Sequence, residues 1–175
     1  MSLTNHASKS PQGRMPVVIL IDMQTGFFPG IREERKEQLV ASQRSILCHC
    51  ADQDIPVCVL EFNNYGETIP ELADLLAKIP RVKTLLKSHD DGFTNPELKE
   101  TLDGWEAEKL IIMGINADYC VLETAKSAIR NEFQIVTAPS LIAGLPSHSE
   151  DDSIDWYSRN GTVRKRLLPL VRNVA

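Results

Sequence analysis

The sequence predicts an α/β fold, a three-layer α/β/α sandwich built around a parallel sheet. Three observations carry this expectation. Runs that are apolar at every position, such as Pro16-Val-Val-Ile-Leu-Ile-Asp22, read as strands buried on both faces. Segments with helical apolar spacing alternate with them. No internal repeat, low-complexity tract or long linker divides the 175 residues, so residues 15–175 are expected to form one domain behind a flexible polar arm, 1–14.

The first strand is expected over 16–22 and ends on a carboxylate. A loop with two Gly and a Pro follows to Gly30. A helix over 33–51 places Leu39, Val40, Ile46 and Leu47 inward. The second strand is 55–60, with a loop over 61–66, and a short helix spans 69–77 with Pro70 in its first turn. Val82–Lys87 reads as the third strand, and 88–93 as a polar loop. Thr94 opens a helix to Leu102, with Pro96 at an initial position. Leu110–Met113, closed by Gly114, is the fourth strand. Asp118 is expected to N-cap the next helix, which carries Val121, Leu122, Ala125, Ala128 and Ile129 on one face. Phe133–Thr137 is the fifth strand, 138–144 a loop and 149–158 a helix. After an Asn160-Gly161 turn, 162–166 reads either as a sixth strand or as part of a helical tail reaching Pro169.

Composition narrows the function. Net charge is −5 and dispersed, with no basic stripe, which argues against nucleic acid as a partner. No apolar run approaches the roughly 20 residues of a membrane span, and the polar N-terminus lacks a signal-peptide stretch. Cys48, Cys50, Cys58 and Cys120 are not needed as disulfides in a core of this size, so a cytoplasmic location is expected. Cys48-His49-Cys50 suggests a metal ligand set. However, residues two apart do not share a helix face and no second pair follows, so no metal is expected there.

Ligands of parallel α/β sheets bind outside the carboxyl ends of the strands. Asp22 ends the first strand, Lys87 ends the third, and Cys120 follows the fourth in the first turn of a helix. Helix-terminal N–H groups and the nearby Lys87 ammonium favour a thiolate at Cys120, and Asp22 is placed to take the thiol proton. Taken singly, Cys120 reads equally as a small buried residue, Asp22 as a loop cap and Lys87 as a surface lysine. Their joint placement favours catalysis.

The sequence here resembles the isochorismatase-like cysteine hydrolases, the nicotinamidase-related amidohydrolases. Asp22-Met23-Gln24 with Phe27 follows the first strand. Lys87 is followed by Asp91-Gly92-Phe93, and Gly114-Ile115 precedes Cys120-Val121 and Thr124-Ala125, all in the family's order over 16–144. The resemblance implies a six-stranded parallel sheet of order 3-2-1-4-5-6 and an Asp22-Lys87-Cys120 triad. It also implies a cis Ile115–Asn116 bond and an oxyanion hole made by the N–H groups of Asn116 and Cys120. It further implies a small-molecule substrate and a homo-oligomer, and the acyl transfer so implied requires no metal or organic cofactor. Gln24, Phe28, Asn64, Tyr65, Phe93 and Tyr119 are expected to contribute to substrate binding, with loop packing the alternative for Phe28, Asn64 and Tyr65.

The sequence departs from the family in two places. Glu61-Phe62-Asn63 stands where metal-binding nicotinamidases carry Asp-x-His, so neither a metal site nor nicotinamide is expected. Thr137-Ala138 replaces an Asp-Ala pair. His89 and His148 fall in polar loops and are expected to be solvated, although His89 lies close to Lys87. The function implied is hydrolysis of a small amide through a Cys120 thioester. The alternatives are metal-independent vinyl-ether hydrolysis using Asp22 alone, and a non-catalytic binding protein on the same fold.

Overall fold

A computed structural model describes residues 16–144 and 150–166. The N-terminal arm, His148 and the tail beyond residue 166 lie outside the described residues. The elements are β1 (Val17–Ile21), α1 (Glu33–Gln53), β2 (Val57–Phe62), α2 (Pro70–Leu76), β3 (Val82–Lys87) and α3 (Pro96–Gly104). They continue with β4 (Lys109–Ile115), α4 (Cys120–Arg130), β5 (Gln134–Thr137), β6 (Ile142–Ala143), α5 (Glu150–Asn160) and β7 (Thr162–Val163).

The strands pair in parallel in the order β3-β2-β1-β4-β5-β7. The expected six-strand order is therefore present, with the strand at 162–163 in the last place. One expectation is corrected. Residues 138–144 are not only a loop: a helical turn at Pro139–Leu141 leads into β6, which pairs with the end of β4 through Gly114↔Ile142 and Ile115↔Ala143. The Gln43 amide reaches from α1 to Leu141 O at 3.0 Å, and Arg35 reaches Pro139 O and Ile142 O. These bonds supply the partners that hold so short a strand.

Alternate residues of β1 divide the core into two layers. Val18 and Leu20 pack with α1 and α2, while Val17, Ile19 and Ile21 pack with α3, α4 and Tyr157 of α5. β1 and β4 are buried on both faces, which is why they read as continuous apolar runs. Gly114 has φ +147° where the two strands end, and a Cβ there would lie 2.1 Å from Ile21 O. A glycine is required, and it allows β4 to run close beside the end of β1 at the carboxyl rim of the sheet. None of the described helices is long and apolar enough to cross a membrane.

Candidate active site

Three strands deliver three polar side chains to one rim. Asp22 directly follows β1, with its N–H bonded to Leu60 O at 2.9 Å and its backbone left-handed at φ 53°. Aspartate is among the few residue types that tolerate this conformation. Lys87 is the last residue of β3. Its Nζ lies 2.8 Å from Asp22 Oδ2, and both side chains are fully buried. Nζ also donates to His89 O at 3.2 Å and lies 4.4 Å from the centre of the Phe62 ring. An ammonium removed from water is thus compensated by a carboxylate, a carbonyl and a π face.

Cys120 opens α4 and is 3 % exposed. The predicted cap is corrected: Tyr119 occupies the N-cap position without a side-chain cap. Asp118 instead accepts a hydrogen bond from Ser153 of α5, which ties the loop before Cys120 to that helix. The Ile115–Asn116 bond is cis, as the resemblance implies. Tyr119 N and Val121 N both donate to Asn116 O at 3.1 Å. Among the described residues, no hydrogen-bond acceptor is found for the N–H of Asn116 or of Cys120.

The electrostatics correct the expectation of a stabilised thiolate. Burial pushes the Cys120 thiol above its ordinary range. The Asp22 charge adds to this, and Lys87 opposes it without prevailing. Burial also raises the Asp22 carboxyl above 3.8, against the pull of Lys87. Burial thus favours the neutral Cys120 thiol, which lies beside the Asp22–Lys87 ion pair. Among the described residues, buried Asp22 Oδ1 has no hydrogen-bond partner, so a lone pair is available to receive a proton.

The substrate-binding expectations separate. Gln24 is buried with its amide committed to backbone. Nε2 donates to Phe62 O at 2.9 Å and Gly66 O at 2.6 Å, and Oε1 accepts from Phe62 N at 2.7 Å. It clasps the loops after β1 and β2 and does not present its amide to a ligand. Phe28 packs on the α1 side of the core under Lys36, and Phe93 packs on the other side near Phe133. Asn64 is an exposed turn residue at φ 67°. Tyr65 is 41 % exposed, stacks on Phe27 at 4.2 Å and meets the Phe62 edge at 5.4 Å, so it is separated from Lys87 by a single ring. Tyr119, 43 % exposed, adjoins Cys120.

Two contacts were not foreseen. Phe62 lies against Lys87 because the register of β2 and β3 pairs these two residues, a pairing that matched strand ends allow one to guess. Asp90 places Oδ1 3.4 Å from Cys120 Sγ, and no sequence pattern signals that approach.

At the positions where metal-binding relatives carry Asp-x-His, Glu61 accepts from Thr68 N and Oγ1, and Asn63 donates to Ser88 Oγ. Thr137, in place of the family's Asp, donates to Ile112 O at 2.7 Å. His89 is exposed, as expected.

Residues 16–165 match the family described as the isochorismatase domain. Solved structures with a similar fold include the MAR1 ribonuclease of Caenorhabditis elegans, with a TM-score of 0.79, 17 % identity, and coverage of 90 % of this chain and 80 % of that one. The nicotinamidase of Staphylococcus aureus has a TM-score of 0.77 at 16 % identity, covering 87 % and 98 %. The YcaC gene product of Escherichia coli, an octameric hydrolase of unknown specificity, has a TM-score of 0.73 at 17 % identity, covering 86 % and 74 %. No curated protein matches the sequence. The structural likenesses show the fold, and the family match spans most of the chain: this protein belongs to the isochorismatase-like family of hydrolases.

Proposed function

We propose that this protein hydrolyses the carbon–nitrogen bond of a small amide through a Cys120 thioester, with Asp22, Lys87 and Cys120 as its catalytic triad. The observation that carries the reading is Cys120, its thiol pushed up by burial, grouped with a buried Asp22–Lys87 pair in which Asp22 Oδ1 has no partner among the described residues. Asp22 takes the thiol proton as Sγ attacks the carbonyl carbon, so no free thiolate is required beforehand. Lys87 holds Asp22 ionised. The Asn116 and Cys120 N–H groups receive the developing oxyanion, each worth up to about 3–4 kcal/mol in the transition state. The C–N bond breaks as Asp22 returns the proton to the leaving amine, giving the thioester. Asp22 then deprotonates a water, which attacks the thioester carbon. The thiol leaves with that proton, and carboxylic acid and amine are the products.

The net charge of −5 supports a small molecule over a polynucleotide as substrate. Four free cysteines support a reducing compartment, the cytoplasm. The octameric relative supports a homo-oligomer, which sedimentation would measure directly.

The test is ammonia release from a panel of small primary amides by the wild type, Cys120→Ala and Asp22→Asn. Loss in both variants, together with an acyl adduct on the Cys120 peptide, supports the reading. Activity on a vinyl ether such as isochorismate that survives Cys120→Ala and fails in Asp22→Asn would replace it.

A further inference from the structure

The loop between β3 and α3 carries a carboxylate that the proposed reaction does not use. Asp90 is an exposed residue, yet its Oδ1 is 3.4 Å from Cys120 Sγ. Its surroundings hold it in place. Thr124 Oγ1, from α4, donates to Asp90 O at 3.4 Å and accepts from Gly92 N at 2.9 Å. Asp91 accepts from Phe93 N at 2.9 Å and from Ser127 Oγ, and lies 3.9 Å from Arg130. The nearby cations already have carboxylate partners: Lys87 with Asp22, Lys126 with Glu123, and Arg130 with Asp91. Among the described residues, no Lys or Arg forms an ion pair with Asp90. Lys87 neutralises Asp22, so the nucleophile faces one uncompensated negative charge.

We infer that Asp90 selects the substrate by charge: the site takes amides with an ammonium or similar cation on the α or β carbon, and disfavours carboxylate-bearing ones. This rests on the reading of Cys120 as the nucleophile. A carbonyl carbon poised for attack lies about 3–3.5 Å from the sulfur. Asp90 Oδ1 is as close to that sulfur, so it lies within about 7 Å of the carbonyl carbon, a gap that a cation on the α or β carbon can span. Asp90 also contributes to the charge that opposes ionisation of the thiol. A cation bound there removes this opposition as the substrate arrives, so recognition and activation of the nucleophile coincide. Isochorismate, a dicarboxylate, is the wrong charge for such a site.

The experiment compares three methanethiosulfonates that carry an ammonium, no charge or a sulfonate, with rates read for each cysteine by mass spectrometry. In each reaction the thiolate displaces methanesulfinate from the reagent sulfur and forms a mixed disulfide. The ratio of cationic to anionic rates at Cys120 cancels the thiolate fraction, and exposed Cys48 serves as the reference. Charge selection predicts a ratio at Cys120 roughly tenfold above that at Cys48. It predicts a collapse toward the reference in Asp90→Asn and inversion in Asp90→Lys. Asp90 is exposed and its side chain meets the core only at Cys120 Sγ, so these variants are expected to fold.

An unchanged ratio in Asp90→Asn would overturn the inference and leave the nucleophile reading standing. If no reagent modified Cys120 even as the pH was raised until its thiol ionised, while Cys48 reacted, the nucleophile reading would fail and take this inference with it. Among amide substrates, glycinamide is predicted to exceed malonamate in kcat/KM, with the preference lost in Asp90→Asn. An equal preference in both enzymes would count against charge selection.

Discussion

Removing Lys87 tests the electrostatic design of the site without knowledge of the substrate. Its ammonium and the Asp22 carboxylate are 2.8 Å apart with both side chains fully buried. At an effective dielectric of ~20, unit charges at 2.8 Å attract by about 6 kcal/mol before desolvation is counted. Lys87→Met leaves the carboxylate buried and uncompensated, a change that costs about 3–5 kcal/mol in stability. Part of that cost is avoided when Asp22 binds a proton.

The pH dependence has a definite sign. The folded-state pKa of Asp22 is already above 3.8, and loss of Lys87 raises it further. A carboxyl with a raised folded pKa contributes stability that is complete below the unfolded pKa and is lost as pH rises through the folded one. The deficit of Lys87→Met at neutral pH should therefore shrink on acidification. Equilibrium urea unfolding gives both quantities, and Asp22→Asn with the double variant closes the cycle. The double variant should recover at least about 2 kcal/mol relative to the sum of the single losses. Additive losses, or a Lys87→Met deficit that does not diminish as pH falls, would refute the buried pair as described.

The remaining predictions concern the base, the other thiols and the loop clasp. The proposed hydrolysis needs ionised Asp22, so kcat/KM should fall on acidification through a pKa above 3.8; an acid limb at or below that value would contradict the raised carboxyl. Burial pushes Cys50 and Cys58 up to about 12 from 9.0, so an aromatic disulfide should label exposed Cys48 well before either. By the same shift, stability should decline as pH rises from 9.0 toward about 12, because the unfolded thiols ionise first; unfolding midpoints that stay constant across that window would argue against it. Gln24→Ala removes three hydrogen bonds and leaves Phe62 N, Phe62 O and Gly66 O without that partner. It should cost about 2–3 kcal/mol in urea unfolding, and a loss below about 0.5 kcal/mol would show that the clasp contributes little.

The parts of the molecule legible in the sequence are those set by local pattern. β3 spans the predicted residues, because Val82–Lys87 is bounded by turn residues and ends at its polar side chain. β1 and β4 announced themselves through unbroken apolar runs. β6 did not: two residues carry no periodicity, and the strand exists through pairing with β4 and bonds from Gln43 and Arg35, each far away in sequence.

Asp118 has the composition of an N-cap, yet its carboxylate bonds Ser153 on a helix whose approach no local rule reports. Cys120 was placed correctly at a helix start beside a strand end. A helix terminus and a lysine, which favour its thiolate, are visible in sequence, whereas the burial that pushes the thiol up is not. Asp90 illustrates the same limit. It is one polar residue in a polar loop until α4 brings Cys120 to within 3.4 Å.

The most direct test of the central claim, a neutral Cys120 served by Asp22, is its alkylation rate against pH in the wild type and in Asp22→Asn. Iodoacetamide with site-resolved mass spectrometry suffices, and Cys48 reports the ordinary thiol. The account predicts that Cys120 titrates above the ordinary value of about 8.5. Asp22→Asn should lower that midpoint and speed alkylation near neutral pH, by removing the charge that opposes the thiolate, while abolishing amide hydrolysis. A Cys120 that titrates below 8.5 and is unmoved by Asp22→Asn would contradict it, and would mean that the thiol ionises without help from its carboxylate.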